Sequence, residues 1–389
     1  MKLARFAESR RKLTHALAER HGVTVPADVD RFFDAVASGN WDDIEARFQV
    51  INGGDSSAGH AAGRPPGVEK LWPAIIDAYG AAEQAHLWPA QGLLDYGNAA
   101  LGALRPGMVY VGGTDNGRWI PELLNDTGDG ERHIIITQNG LADSSYLDYL
   151  NLQFGDQLTT LSAEDSQSAF AAYLADAQKR LEHDQQFPDD PKQIRPGEEV
   201  HQVDGKFQVS GMVAVMSINE KLLQALLDKN AGVSFAVQES YPLTGTYGDA
   251  VPLGPLMELR APDPQNAFDT DKAAQTVDYW RALTQEVLAD PASSTPAFSS
   301  YSHDAVAAGH LLAAHHYDAE AEQTYRLAAQ MAPGNVEATT GLAEVLNRTG
   351  RGDQARQLLD DFARAYPDQR TAVDTFRGSI TISKAGNGP

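Results

Sequence analysis

Apolar positions recur at helical spacing through the N-terminal part of the chain. Residues 2–20 form one amphipathic stretch. Residues 27–38 (ADVDRFFDAVAS) and 41–50 (WDDIEARFQV) form two more around Gly39 and Asn40, the pattern of a helical hairpin. A Gly-, Ser- and Pro-rich stretch at 51–67 (INGGDSSAGHAAGRPPG) reads as a linker, and helical patterning resumes at 68–83 and 90–103. The middle of the chain changes character. Four short apolar runs have strand length: MVYVGG (108–113), HIIIT (133–137), SFAVQ (234–238) and LMELR (256–260). Helical patterns lie between them at 119–125, 143–154, 164–182 and 211–229. This alternation predicts an α/β region with a small, largely parallel sheet and flanking helices. The polar, Pro-rich residues 183–208 predict a long surface excursion.

The C-terminal part repeats. Pro333 and Pro367 are 34 residues apart, as are Ala321 and Ala355. Taking each Pro as the end of a 34-residue unit aligns Gly309, Ala321, Tyr325, Ala328 and Pro333 in the first unit. Leu342, Ala343, Gly350, Ala355, Phe362 and Pro367 fall in the second. Small residues stand where helices cross closely, and aromatics fill the space beside them. Residues 302–368 therefore resemble the tetratricopeptide (TPR) family, which implies all-α helical hairpins. The first unit departs from the family pattern at its turn glycine, where His316 stands. Such repeats bury their apolar faces only by stacking, so the helix at 272–290 and residues 370–378 are expected to cap the pair. The expected organisation is a helical region at 1–104, an α/β domain at 105–265, a TPR-type domain at 266–378 and a disordered tail at 379–389.

Charge narrows the choice of partner. The formal net charge is -22, and a surface that acidic repels nucleic-acid phosphates and anionic lipid head groups. The 389 residues contain no cysteine, which excludes disulfides, thiolate nucleophiles and cysteine-held zinc. The first 22 residues are charged and lack the apolar core of a signal peptide. No run approaches the roughly 20 apolar residues of a membrane span, so the chain as written is expected to be soluble.

Two strand-end loops carry candidate chemistry, because ligands of open α/β sheets bind beyond the C-terminal ends of strands. In GGTDNGRW (112–119), the glycines permit a tight turn and close approach, and Thr114, Asp115 and Asn116 could meet a ligand at a helix start. Equally, Thr114 or Asp115 could simply cap that helix. In TQNGLADSSY (137–146), Asn139 and Asp143 are candidates, with Asp143 also placed as the N-cap of helix 144–154. Glu239 follows the strand at 234–238. Three carboxylates at strand ends would suit a divalent cation or an acid/base pair. No metal-site motif, P-loop, GxGxxG or nucleophile-elbow pattern occurs, and no cofactor is expected.

On the TPR helices, His303, Val306, His310 and Ala313 fall on one face of the first helix. Glu337, Thr340, Glu344, Asn347 and Arg348 fall on the corresponding face of the next. With one Arg against two Glu, this face favours a neutral or basic protein or peptide. The alternative is that so short an array only packs on the α/β domain.

Several segments together resemble an uncharacterised family of bacterial TPR-containing proteins. They are GNWDDIEARF (39–48), VYVGGTDNGRWIP (109–121), ITQNGLADSSYLDYL (136–150), 163–200, VSGMVAVMSIN (209–219) and FAVQES (235–240). Residues 108–260 are also distantly similar to soluble parts of O-mannosyltransferase-like membrane proteins. The family pattern has Pro at the place of Asn116 and an aromatic-rich segment at 241–251, where this chain has YPLTGTYGDAV. The resemblance implies a bacterial, periplasmic or envelope-associated protein. The expected function is an interaction module or scaffold working through TPR grooves, with self-association open. The alternative is an enzyme or carbohydrate-binding protein with a carboxylate-lined cleft.

Overall fold

The computed structural model describes residues 1–53, 64–65, 67–190, 192–195, 197–203, 206–260, 267–290 and 294–379. Most of the expected linker and the expected tail from 380 onward lie outside the described residues. The chain divides into two compact units, residues 1–160 with 292–297 and residues 161–291 with 298–389.

The first unit runs α1 (Lys2–His21), α2 (Ala27–Ser38), α3 (Trp41–Ile51), α4 (Val68–Leu87), α5 (Ala90–Ala103), β1 (Val109–Gly112), α6 (Asp115–Thr127), β2 (Ile134–Thr137) and α7 (Ser144–Phe154). The hairpin between α2 and α3 turns where the polar pattern breaks: Gly39 ends α2, and the Asn40 side chain accepts from Asp43 N to start α3. Strands β1 and β2 pair in parallel, from Val109 opposite Ile134 to Gly112 opposite Thr137. All four residues of β1 are buried, hence its unbroken apolar pattern.

A charged cluster lies inside this unit. Arg10 of α1, 1% exposed, donates to Glu122 at 2.8 Å and to Asp126 at 2.6 Å, both on α6. Its Nε lies 3.5 Å from Asp77 of α4. Asp77 also accepts from Arg118 and, at 2.6 Å, from the Tyr149 hydroxyl of α7. Burial and the nearby Asp77 hold the Glu122 carboxyl above its ordinary range, against the pull of Arg10 and Arg118. Charges in so dry a place persist only because each has an opposite neighbour. The cluster thereby couples four helices.

The second unit contains α8 (Ala163–Gln186), β3 (Glu199–Val203), β4 (Lys206–Ser210), α9 (Met212–Lys229), β5 (Phe235–Gln238), β6 (Val251–Leu253), β7 (Leu256–Leu259), α10 (Thr270–Ala289) and most of α11 (Thr295–Ala314). It ends with α12 (Asp318–Met331), α13 (Val336–Arg348), α14 (Gly352–Ala365) and α15 (Arg370–Ser379). Strand β7 pairs antiparallel with both β5 and β6. The strands are thus mixed in sense. The hairpin from β6 to β7 turns through Gly254 and Pro255, with Gly254 at φ 59°, and needs no crossover helix.

The polar stretch 183–208 is more ordered than its composition suggests. Helix α8 extends to Gln186, and β3 and β4 form an antiparallel hairpin. Glu198 is the reason. It accepts from Tyr173 and Arg180 of α8, while Val200 packs with Tyr173, Ala177 and Ala214.

Helices α11 to α14 form the two TPR hairpins. The turn after α11 holds His316 at φ 63°, and the turn after α13 holds Gly350 at φ 79°. These residues stand 34 apart in the sequence. Both turns close alike, with Tyr317 N donating to Leu312 O and Arg351 N to Leu346 O. The left-handed turn is therefore retained in the first repeat without its glycine.

Candidate functional site

Two histidines of α11, His303 and His310, and His315 just after its end reach the segment that follows β5. His303 Nε2 donates to the main-chain oxygen of Glu239 at 2.7 Å. His310 Nδ1 donates to Glu239 Oε1 at 3.2 Å. His315 Nε2 donates to the Tyr247 main-chain oxygen at 2.7 Å. Each role follows from the partner, which can only accept. The Glu239 side chain, 2% exposed, is held further by the Tyr247 hydroxyl at 2.9 and 3.1 Å and by Leu243 N at 3.3 Å. A carboxylate with several donors can be buried at tolerable cost.

The network extends to the second repeat. His303 Nδ1 faces Glu337 Oε2 of α13 at 3.4 Å. Burial lowers the His303 pKa, but Glu337 and the adjacent Asp304 outweigh it, so the ring is pushed up to about 9. The same hydrogen bond lowers the Glu337 carboxyl. His303 is an imidazolium at neutral pH, with one N–H for the segment after β5 and one for α13.

Tyr325 of α12 fills the crossing of α11 and α13. A Cβ at Gly309 would lie 2.6 Å from its ring, and one at Gly341 would lie 2.5 Å from it. Both positions accept only glycine without a shift. The His310 ring meets the Tyr325 ring edge-on, with centroids 5.8 Å apart.

Beyond this covered region lies an open groove of about 570 Å³ between α13 and α15. Val336 and Thr340 line it from α13, and Thr371, Ala372, Thr375 and Phe376 from α15, with Asp368 at the turn before α15. The lining combines apolar side chains, Val336, Ala372 and Phe376, with the hydroxyl-bearing Thr340, Thr371 and Thr375.

The structure thus joins residues that the sequence presents as two separate sets. Glu239, a strand-end ligand candidate, meets His303 and His310, which were partner candidates, and His303 meets Glu337. Thr340 lines the groove. Glu344 and Arg348 are exposed on α13, and Asn347 is half-buried; Arg348 pairs with Asp318. Tyr247 and the α15 side of the groove escaped the sequence reading. A lone tyrosine in a loop carries no pattern, and α15 was seen only as a cap.

The other strand-end candidates belong to the first unit. Thr114 caps α6 by accepting from Gly117 N at 3.0 Å. Asp143 caps α7 by accepting from Ser145 N at 2.8 Å. Asn139 Nδ2 donates to Gly113 O at 2.9 Å, tying the loop after β2 to the loop after β1. Asn116 Nδ2 donates to the Tyr96 hydroxyl at 3.4 Å. Asp115 is exposed at the start of α6, and desolvation raises its carboxyl despite nearby Arg118. Among the described residues no group of three or more His, Cys, Asp or Glu is placed to hold a metal ion.

The Tetratricopeptide repeat family matches residues 311–380. That span runs from within α11 through α15 and includes both sides of the groove. No curated protein and no solved structure matches the chain. No described helix is long and apolar enough to cross a membrane.

Proposed function

We propose that this protein is an interaction module whose docking surface is the groove between α13 and α15. A TPR region suggests protein or peptide binding in general. The observation that favours this part of it is the contrast between the two repeats. The α11 face with His303 and His310 is engaged by the protein's own segment after β5, whereas the α13 face next to it opens into the groove. A lining that mixes apolar side chains with threonines suits an extended segment with one apolar side chain. Asp368 on the lining and exposed Glu344 on α13 favour a neutral or basic partner.

Two further parts of the reading rest on resemblance alone: a bacterial origin and an association with the cell envelope. Self-association stands as a third, to be read from light scattering of the purified chain. Docking is tested by immobilising the native chain and two variants and measuring partner capture from an extract. Thr375→Arg obstructs the groove, and Gln354→Arg alters the exposed face of α14. The reading expects Thr375→Arg alone to lose the captured protein. Equal capture by all three chains would refute it.

A further inference from the structure

A stripe of aromatic rings runs along the seam between α3 and α4 in the first unit. Trp41 and Phe48 stand on α3, and Trp72, Tyr79 and His86 on α4. The Trp41 ring lies 4.7 Å from the His86 ring, stacked at 6°, and 5.7 Å from the Tyr79 ring. The Phe48 ring lies 3.7 Å from Tyr79, stacked at 14°, and 5.4 Å from Trp72. Phe48 is buried, Trp41, Trp72 and Tyr79 are half-buried, and His86 is exposed. Rings left half open to water are surfaces on which cations stack. One cation does so here. The Arg64 guanidinium lies over the Trp72 ring, 3.7 Å from its centre.

The same stripe carries two unmatched carboxylates. Trp41, Glu45 and Phe48 follow at helical spacing on one face of α3, and Tyr79, Glu83 and His86 do so on one face of α4. Tyr79 meets both Trp41 and Phe48, so Glu45, which stands between those two, is opposite Tyr79. Trp41 meets both Tyr79 and His86, so Glu83, between them, is opposite Trp41. Glu45 is exposed and Glu83 half-buried. Neither has an ion-pair partner among the described residues. Nearby Arg47 pairs with Asp43, and Arg64 is turned to Trp72 and Asn52. Glu83 accepts from the adjacent Gln84 at 3.4 Å, a neutral donor. Burial, Asp115 and Glu45 together raise the Glu83 carboxyl, and burial, Glu83 and Glu45 raise the Tyr79 hydroxyl.

We propose that Trp41, Tyr79, Glu45 and Glu83 bind a guanidinium, presented by an arginine side chain of a partner peptide. A guanidinium is planar, weakly hydrated and permanently charged. It lies on a ring face while its edge N–H groups reach carboxylates. Arg64 makes the ring contact at the other end of the stripe, where its hydrogen-bond partner Asn52 is neutral. A second guanidinium at Trp41 and Tyr79 gains the ring contact and both carboxylates, and relieves the repulsion between Glu45 and Glu83. The site belongs to the first unit, and it holds or fails independently of the groove between α13 and α15.

The probe is Nα-acetyl-arginine methylamide, with Nα-acetyl-citrulline methylamide as the uncharged control of the same shape. Each is titrated into the full chain carrying ¹⁵N-labelled tryptophan, and the Trp41 indole N–H resonance, assigned from Trp41→Phe, is followed by NMR. The arginine probe is expected to give a saturable shift, and the citrulline probe to bind at least about tenfold more weakly. The double variant Glu45→Gln/Glu83→Gln, with unchanged thermal melting, is expected to lose the response. Asp42→Asn, an exposed change on α3 outside the stripe, is expected to keep it. No saturable shift in the native chain, an equal response to both probes, or an undiminished response in the double variant overturns the site and leaves the rings as packing between α3 and α4. Should the double variant melt early, the contrast between arginine and citrulline in the native chain decides alone.

Discussion

Glu239 and His310 are 71 residues apart and meet at 3.2 Å. The contact joins the end of β5 to the first TPR helix. It makes the segment after β5 part of the repeat's own packing.

Removing that carboxylate leaves the Tyr247 hydroxyl, Leu243 N and His310 Nδ1 without their acceptor. Glu239→Ala is expected to cost about 3 kcal/mol, because unmet buried donors are expensive. Glu239→Gln, which keeps an oxygen there, should cost less. Urea unfolding of the two variants measures both. Equal stability of Glu239→Ala and native chain would show that the carboxylate is not a tether.

The pair His303 and Glu337 gives stability a pH dependence. The folded His303 value, about 9, lies above the ordinary value of roughly 6.5. Its contribution is therefore complete below about 6.5 and is lost as pH rises to about 9. Glu337 is lowered in the fold, so its own contribution is present above the usual carboxylate range and is lost as pH falls through the folded value. Replacing Glu337 by Gln should return the His303 titration toward about 6.5, as followed by histidine NMR.

His316 occupies a left-handed conformation that glycine adopts at the equivalent place in the next repeat. His316→Gly should stabilise the chain by about 0.5–1 kcal/mol, with relief of backbone strain exceeding the added chain entropy of glycine. Gly350→Ala should do the reverse. Thermal unfolding of the two variants decides the sign.

Arg10 is enclosed by three carboxylates in the first unit. Arg10→Met should cost about 3–5 kcal/mol, because it strands buried negative charge. Arg31→Ala, which removes an exposed pair with Asp28, should change stability by less than about 1 kcal/mol. Chemical denaturation of both variants makes the comparison.

Element positions were legible where periodicity was strong. Strands β1, β2, β5 and β7 and nearly every helix lie within a few residues of the apolar runs that announced them. The repeat was legible because Pro333, Pro367 and the paired alanines recur at one period. Strand β6 was hidden because its three residues, Val-Pro-Leu, include a proline. Strands β3 and β4 were hidden in a polar stretch that a buried glutamate, Glu198, secures. The candidate site was legible as residue types but not as a constellation. Nothing in the local pattern of Glu239 or His310 encodes their meeting, which depends on how β5 is packed against the TPR helices within the second unit. The alternation of strands and helices also suggested a largely parallel sheet, whereas β7 pairs antiparallel with both β5 and β6.

The central claim is that partners dock between α13 and α15, beside a repeat already engaged by its own chain. A photo-crosslinking residue placed at Thr375, compared with one at Gln354, tests it most directly. The account predicts a partner adduct from position 375 and none from 354, with the adduct retained when Glu239 is changed to Gln. An adduct from 354 of equal yield, or none from 375 while the partner still binds, would contradict it.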